Sequence, residues 1–573
     1  MRRRVLLSLG LGLALAAAGA AAEPGIAVNQ VGYLPGAAKV AAVPAGAAQA
    51  FSVVEAGSGR TVLRGRLGAA ARWAPAGQDV RLADFSALRA PGRYRLRVAG
   101  VADSPAFDVA ADAYAAVNAA ALKAYYFNRA STALPPEHAG RWARAAGHAD
   151  ERVLVHASAA GPGRPEGSVI AAPKGWYDAG DYNKYIVNSG ITVYTLLAAY
   201  EHFPAFFQAQ HLDIPESGNA LPDLLDEVLW NLEWMLAMQD PADGGVYHKL
   251  TNKGFDGAVM PADATGERYV VQKSTAAALD FAAVMAQASR VFAAFEAQRP
   301  GLPARMRAAA ERAWAWAQAH PQAIYRQPPD VHTGDYGDER LDDEFAWAGA
   351  ELWVSTGDAR YRPDLARLAI GVPFWGDVKG LAWITLAQHR DRLPPADAAL
   401  ASARVLSLSA GLSAAWRASA YRVGMGAADY DWGSSSSVLN RALMLVQGHR
   451  LKPDAGTLAA AQALFDHVLG RNPLGRSLVT GFGERPPLHP HHRPSEADGV
   501  EAPVPGFLAG GPNPGRQDQQ HCPAYASALP ALAYIDHFCS YASNEVAINW
   551  NAPLVYVSAA LQVLTPAPAP GRR

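Results

Sequence analysis

The sequence predicts a mainly helical toroid carried behind a small β-sandwich. The hydrophobic period changes from about 2 to about 3.6 near Ala110, and Ala-rich helical stretches then recur between long loops over most of the remaining chain. The length, 573 residues, also asks for more than one folding unit.

The first residues, MRRRVLLSLGLGLALAAAGAAA, join a basic start to an apolar run and a small-residue end at Ala20 to Ala22. That pattern predicts a secretory signal peptide over residues 1–22, cut before Glu23. A membrane anchor would need about 20 uninterrupted apolar residues, and Ser8 and Gly10 break this run. The expected location is secreted or periplasmic, with no membrane attachment after cleavage.

Residues 23–109 form the predicted sandwich. Thr61–Leu67 and Arg93–Val98 alternate polar and apolar residues, and turn signals at 57–59, 74–77 and Pro91-Gly92 separate six or seven such strands. No cluster of acids or histidines falls here, so the module reads as structural.

Helical spacing follows at 111–128, 191–202, 221–239, 275–297, 304–319, 342–355, 434–448 and 457–469. These belong to a domain of residues 110–566, ahead of a tail at 567–573. In Leu221–Gln239 the apolar positions 221, 224, 225, 228, 229, 232, 235 and 236 make one wide buried face. The intervening loops at 156–185, 240–273, 325–340 and 480–524 read as structureless, and loops of that length inside a compact domain carry function. The run Gly433–Ser437 reads as a helix entry whose hydroxyls cap free amides.

The 51 Lys plus Arg nearly cancel 52 Asp plus Glu, so no global field favours nucleic acid or an anionic membrane, and the partner is expected to be uncharged. Cys522 and Cys539 are the only cysteines. A bridge between them and two buried free thiols both remain open.

Three stretches carry chemistry. Tyr534–Ala552, YIDHFCSYASNEVAINWNA, sets Asp536 and Glu545 among Tyr541, Trp550, Asn544, Asn549 and Asn551. Amides bond sugar hydroxyls, rings stack on pyranose faces, and a carboxyl group moves protons. Gly175–Tyr185, GWYDAGDYNKY, holds Asp178 and Asp181 three apart among Trp176, Tyr177, Tyr182 and Tyr185. A tight turn can aim both acids one way, and helix capping is the alternative. Ser477–Ser495 contains His489, His491, His492 and Arg493, but its prolines break the helix that would give histidines metal spacing. They read as donors to sugar hydroxyls.

These stretches resemble the signatures of glycoside hydrolase family nine, the inverting endoglucanase family. One signature is matched at Ser477, Val479, Thr480, Gly483, Arg485, Pro490, His491 and Arg493, and the other at Tyr534, Asp536, Tyr541, Glu545, Ala547, Asn551 and Ala552. The DAGD run at 178–181 adds to the likeness. The N-terminal module and GGVYHKL at 244–250 resemble the subgroup that carries an immunoglobulin-like domain ahead of an (α/α)6 barrel.

The resemblance implies an endo-β-1,4-glucanase with Asp181 as general base, Asp178 holding the attacking water and Glu545 as general acid. His491, Arg493, Trp550 and Tyr182 are expected to bind substrate, and Asp536 to give support. Inversion needs room for water, with carboxyl groups roughly 6.5–9.5 Å apart. It also needs Glu545 protonated by an apolar setting while Asp181 stays ionised. An exo-acting glucosidase or glucosaminidase of the same family is the alternative. A glycan-binding protein without catalysis is another, against which the joint presence of all three acids argues. Many relatives with the immunoglobulin-like module bind a structural zinc through Cys and His near the barrel start. Phe127–Asp150 has no Cys, although His148 remains, so zinc is not expected. A structural calcium is implied near Asp343 and Glu344, with acids at a helix start as the alternative. The chemistry itself needs no cofactor, and a monomer acting on a β-glucan is expected.

Overall fold

The computed structural model describes residues 25–567, so the expected signal peptide and all but the first residue of the expected tail lie outside the described residues. The chain opens with eight strands: β1 Gly32–Tyr33, β2 Val40–Pro44, β3 Ala50–Glu55, β4 Thr61–Arg66, β5 Ala71–Trp73, β6 Gln78–Asp84, β7 Gly92–Val98 and β8 Phe107–Val109. They make two sheets, ordered β1-β8-β7-β3-β4 and β2-β6-β5. Alternation decides which side chains go inward: Tyr94, Leu96 and Val98 of β7 are buried while Arg93 and Arg97 face out. Tyr33 packs edge-on against Phe85 and Phe107 at 5.3 and 5.4 Å.

Eleven helices of ten or more residues follow among the described residues. They are α1 Ala115–Phe127, α2 Ile186–His202, α3 Asp223–Ala237, α4 Thr275–Phe292, α5 Leu302–Ala319, α6 Asp342–Thr356, α7 Lys379–Gln388, α8 Pro395–Ala418, α9 Ser434–Leu451, α10 Ala455–Val468 and α11 Ile548–Leu564. The inner ring runs α2, α4, α6, α7, α9, α11 and back to α2, with α8 joining α7 to α9. Outside it, α1 packs on α11, α3 on α2, α5 on α4 and α10 on α9. The outer position between α6 and α7 is filled by irregular chain, so the (α/α)6 barrel is built with one outer helix replaced. Two helical segments, Thr275–Phe295 and Pro395–Ala418, are long and apolar enough to cross a membrane, but the first is a mostly buried inner stave.

Three helices go unrecognised in the sequence. The helix α11 contains Pro553, which removes a backbone donor and masks the helical pattern. In α8 the buried positions include Asp397, Ser409 and Ser413, so no apolar stripe is visible. The third, α7, is short. The loops read as structureless at 156–185 and 240–273 instead supply most of a third sheet. Its strands are β9 Val153–Val155, β10 Val169–Ile170, β11 Lys184–Tyr185, β12 Lys249–Thr251 and β13 Tyr269–Val270, in the order β10-β9-β13-β12-β11. Strands of two or three residues are too short to display a period.

The sandwich is bonded to the barrel and its loops. Asn29 Nδ2 donates to Asp466 Oδ1 of α10 at 2.9 Å, and Gln30 Nε2 donates to the Gly475 carbonyl at 3.0 Å. Glu484 accepts from Arg95 at 3.2 Å and from the Ala106 amide at 2.8 Å.

Candidate active site

Three distant segments meet above the inner helices. The turn 178–181 leads into β11 and α2, while Ala547 and Ile548 open α11. The Ile548 amide donates to the Asp178 carbonyl at 2.8 Å, and the His491 amide to the Asn544 carbonyl at 2.8 Å. Arg493 donates from Nη1 to the Gly180 carbonyl at 2.7 Å and from Nε to the Asp256 carbonyl at 2.8 Å. Gly180 must be glycine, since a β-carbon there would lie 2.2 Å from the His491 carbonyl oxygen.

This convergence leaves an open cleft of about 590 Å³. Asp178, Asp181 and Glu545 all line it, together with Tyr336, Trp375, Trp432 and Trp550. Phe255, Phe374 and Trp432 are among its exposed aromatic rings, at 51%, 47% and 43% exposure, so apolar faces are available for a ligand to stack on.

Asp178 is buried, accepting from Asn188 Nδ2 at 2.6 Å and from the Tyr336 hydroxyl at 2.8 Å. Burial, reinforced by the charge of Asp181, pushes its carboxyl up to about 8. On Asp181 only Oδ2 is bonded: it accepts from Asn183 Nδ2 at 2.5 Å, the Tyr185 hydroxyl at 3.2 Å and the Asn183 amide at 3.3 Å. Glu545 sits opposite, on the segment whose carbonyl accepts from the Gly510 amide at 2.8 Å. Burial, then Asp181, raises its carboxyl well above the usual range, with Arg493 opposing.

One acid held neutral beside another fixed by donors, in a cleft floored by aromatic rings, is an arrangement for proton transfer on an uncharged polar ligand. Residues 114–558 match the profile described as glycosyl hydrolase family 9, and residues 21–103 match that of the cellulase N-terminal ig-like domain. The chain belongs to glycosyl hydrolase family 9. A xyloglucan-specific endo-β-1,4-glucanase of Bacteroides ovatus is 43% identical over 555 residues, covering 94% of each chain. Endoglucanase D of Acetivibrio thermocellus is 32% identical over 544 residues, covering 93% of this chain and 83% of that one. A solved Bacteroides ovatus GH9 structure matches with TM-score 0.88 at 42% identity, over 94% of this chain and 99% of that one. The protein is therefore a glycoside hydrolase with an immunoglobulin-like sandwich ahead of an (α/α)6 barrel.

Within this family-9 cleft Trp550 lines the wall and packs over Gly433, where a β-carbon would come 2.6 Å from its Nε1. His491 stacks on Phe538 at 4.9 Å, and its Nδ1 lies 2.5 Å from the Phe538 carbonyl. Burial lowers the imidazole to about 4, so it is neutral. Nδ1 must donate to that carbonyl, which makes Nε2 an acceptor rather than the hydroxyl donor the sequence suggested. His492 is buried against Ser495 and Asn128, and His489 is exposed. Asp536 gives support: it accepts from the Leu488 and His489 amides at 3.0 Å and from Arg476 at 2.5 Å, fixing the loop ahead of His491.

Tyr182 is not at the cleft. It is 1% exposed, packs in a cluster with Ala130, Tyr177 and Ala264, and donates to the Val259 carbonyl at 2.5 Å. The bend at 179–182 turns Tyr182 into this cluster while Asp181 lines the cleft. The serines of 434–437 do not cap α9 either. Gly433 takes the cap position in a left-handed conformation, and Ser434 instead donates to the Pro512 carbonyl at 2.8 Å. Cys522 and Cys539 are bonded to each other, next to Phe538.

The acids expected to hold calcium lie at the start of α6. Glu344 is 0% exposed, so it is no surface acid at a helix start. Among the described residues no donor reaches the carboxyl oxygens of Glu344 or of Asp280, which is buried in α4. Burial and the neighbouring acids Asp338 and Asp343 raise Asp280, and burial with Asp280 pushes Glu344 up to about 11. Such orphaned, oxygen-only donors suit a hard cation. Among the described residues, however, no three His, Cys, Asp or Glu side chains are already gathered as a ligand set. Backbone oxygens would have to complete the shell.

Sequence reasoning passes over Asn183, Asn188, Tyr336 and Trp432. Each is an ordinary polar or aromatic residue whose meaning comes only from what the fold places beside it.

Proposed function

We propose that the protein is an endo-acting, inverting β-1,4-glucanase that cleaves soluble β-glucan chains, xyloglucan included. The carrying observation is the presence of Asp178, Asp181 and Glu545 on one open cleft with exposed aromatic faces. The two endoglucanase relatives support the endo reading. The xyloglucan-specific relative supports a branched chain among the substrates.

Asp178 keeps its proton near neutral pH and leaves Asp181 as the carboxylate of the pair. Water held by both attacks the anomeric carbon, and the unbonded Oδ1 of Asp181 takes its proton. Glu545 protonates the glycosidic oxygen as the C–O bond breaks, giving a new non-reducing end and an α-configured reducing end. Solvent then returns a proton to Glu545 and removes one from Asp181. His491 accepts from a sugar hydroxyl, Arg493 offers its Nη2, and Trp550 supplies a face. The enzyme acts as an exported monomer in the periplasm or outside the cell. A calcium ion at Asp343 and Glu344, its shell completed by backbone oxygens, would neutralise buried acid at the start of α6 without entering the chemistry.

Viscosity and reducing ends measured together on xyloglucan, carboxymethyl cellulose and mixed-linkage glucan test this, for wild type and Glu545→Gln. Rapid viscosity loss, absent in the variant, is expected, with xyloglucan cut fastest. Release of single sugars at steady viscosity would establish the exo reading, and binding without cleavage would leave a glycan-binding protein. A β-configured fresh product would remove the water-activating role from Asp181.

A further inference from the structure

Lys249, in β12, is fully buried, yet its three hydrogen bonds all go to neutral acceptors: Gln327 Oε1 at 2.9 Å, Thr333 Oγ1 at 3.0 Å and the Gly334 carbonyl at 2.5 Å. A buried ammonium bonded only to neutral groups is costly, so the place where its charge is felt matters. From Lys249 a continuous chain runs to the catalytic turn. Thr333 Oγ1 lies 2.7 Å from Thr251 Oγ1, the Thr251 hydroxyl donates to Asn183 Oδ1 at 3.0 Å, and Asn183 Nδ2 donates to Asp181 Oδ2 at 2.5 Å.

The directions are set from the cationic end. Because Lys249 donates to Thr333, the Thr333 hydroxyl turns its own hydrogen towards Thr251, and Thr251 turns towards Asn183. The Asn252 carbonyl, 2.7 Å away, is the competing acceptor for Thr251. The Asn252 amide also donates to Asn183 Oδ1 at 2.9 Å, so the carboxamide cannot flip. Every member of the chain is buried, where aligned hydrogen bonds polarise one another. The ammonium also lies over the Tyr185 ring at 5.5 Å, and the Tyr185 hydroxyl is a further donor to Asp181 Oδ2.

We propose that Lys249 is a positioning residue: its charge, relayed through Thr333, Thr251 and Asn183, stabilises the negative charge on Asp181 and keeps its carboxylate turned so that Oδ1 meets the attacking water. This rests on Asp181 being the water-activating base. Other groups face Asp181 too. Asp178 and Glu545 face it from the turn and the opposite wall, each raised by burial and by the charge of Asp181, while Asp256 and Asp335 lie on neighbouring loops and Tyr336 and the neutral His491 share the site. Arg493 is the cation on the other side, with two of its donors committed to backbone carbonyls. Burial draws the Lys249 ammonium down to about 7, opposed by Asp335 and Asp181, so the charge is in place from acid to near-neutral pH.

The test is the pH profile of kcat and KM on a soluble β-1,4-glucan for Lys249→Met, Lys249→Arg and Thr251→Val. In Lys249→Met the acid limb is expected to move up by about one pH unit, so that the rate on that limb falls roughly tenfold while the loss is smaller at neutral pH and KM holds. Lys249→Arg should restore the limb, and Thr251→Val, which keeps the charge but cuts the chain, should move it the same way by less. A uniform loss of rate in Lys249→Met with the limb unmoved would overturn the proposal, as would an unmoved limb in Thr251→Val should Lys249→Met fail to fold. Wild type active on a different glycan would refute the glucan reading alone, with the same profiles then taken on that glycan. Wild type inert on every glycan would overturn both.

Discussion

The two walls of the cleft hold their acids in opposite ways. On the 178–185 wall each carboxyl is gripped by named donors, Asn188 and Tyr336 on Asp178, Asn183 and Tyr185 on Asp181. On the other wall Glu545 is surrounded by backbone and aromatic rings, with the Gly180 amide and Arg493 as the groups that favour its anion. Donors fix a carboxylate in place and favour its charge, whereas burial favours the proton, and at Asp178 burial with the charge of Asp181 outweighs its two donors. The difference is what single displacement demands: a base held still at one atom, and an acid that has not yet given its proton away.

The largest way to break this comparison is to remove each acid in turn. Glu545→Gln and Asp181→Asn should each lower kcat on natural glucans by about 10²–10⁴. On a glycosyl fluoride, whose leaving group needs no proton, only Asp181→Asn should stay slow; equal loss in both would end the division of labour. With the acid raised by burial, wild-type activity should persist through neutral pH and fall as alkali removes the Glu545 proton.

Loosening the grip on the base comes next. Asn183→Ala leaves both catalytic acids in place but frees Asp181 to rotate, and a misplaced base should slow kcat about tenfold to a hundredfold with little change in KM. A smaller effect is expected on the other wall from Cys522→Ser with Cys539→Ser. The bridge lies beside Phe538, whose carbonyl orients His491, so KM should rise severalfold while kcat holds.

The smallest effect is thermodynamic. Folded Asp178 holds its proton up to about pH 8, whereas the unfolded chain releases it near pH 4. The stability this contributes is full below about pH 4 and is lost as pH rises towards 8. Asp178→Asn has no proton to lose, so its melting temperature relative to wild type should climb by a few degrees between pH 5 and pH 8. A flat difference would mean that Asp178 ionises freely.

What could be read in advance follows the same divide. Long amphipathic helices such as α3 and α4 declare themselves because their burial repeats along the sequence, and the acids declare themselves because motifs carry them. The third sheet is invisible, since each strand is shorter than any period, and that sheet brings Lys249 and Thr251 under Asp181. Asn183 stands inside the quoted motif, yet its role depends on partners 68 positions further on. Tyr182 is the complementary case: its residue type suggests a sugar platform, and the bend at 179–182 puts it into the core.

Among the described residues the sandwich lines no part of the cleft, yet Gln30 and Arg95 reach the 475–485 segment, whose continuation carries His491 and Arg493. Heat should therefore melt the two domains as one cooperative unit. Cutting the chain at the visible junction near Val109 would leave a barrel whose substrate loop has lost its outer mooring.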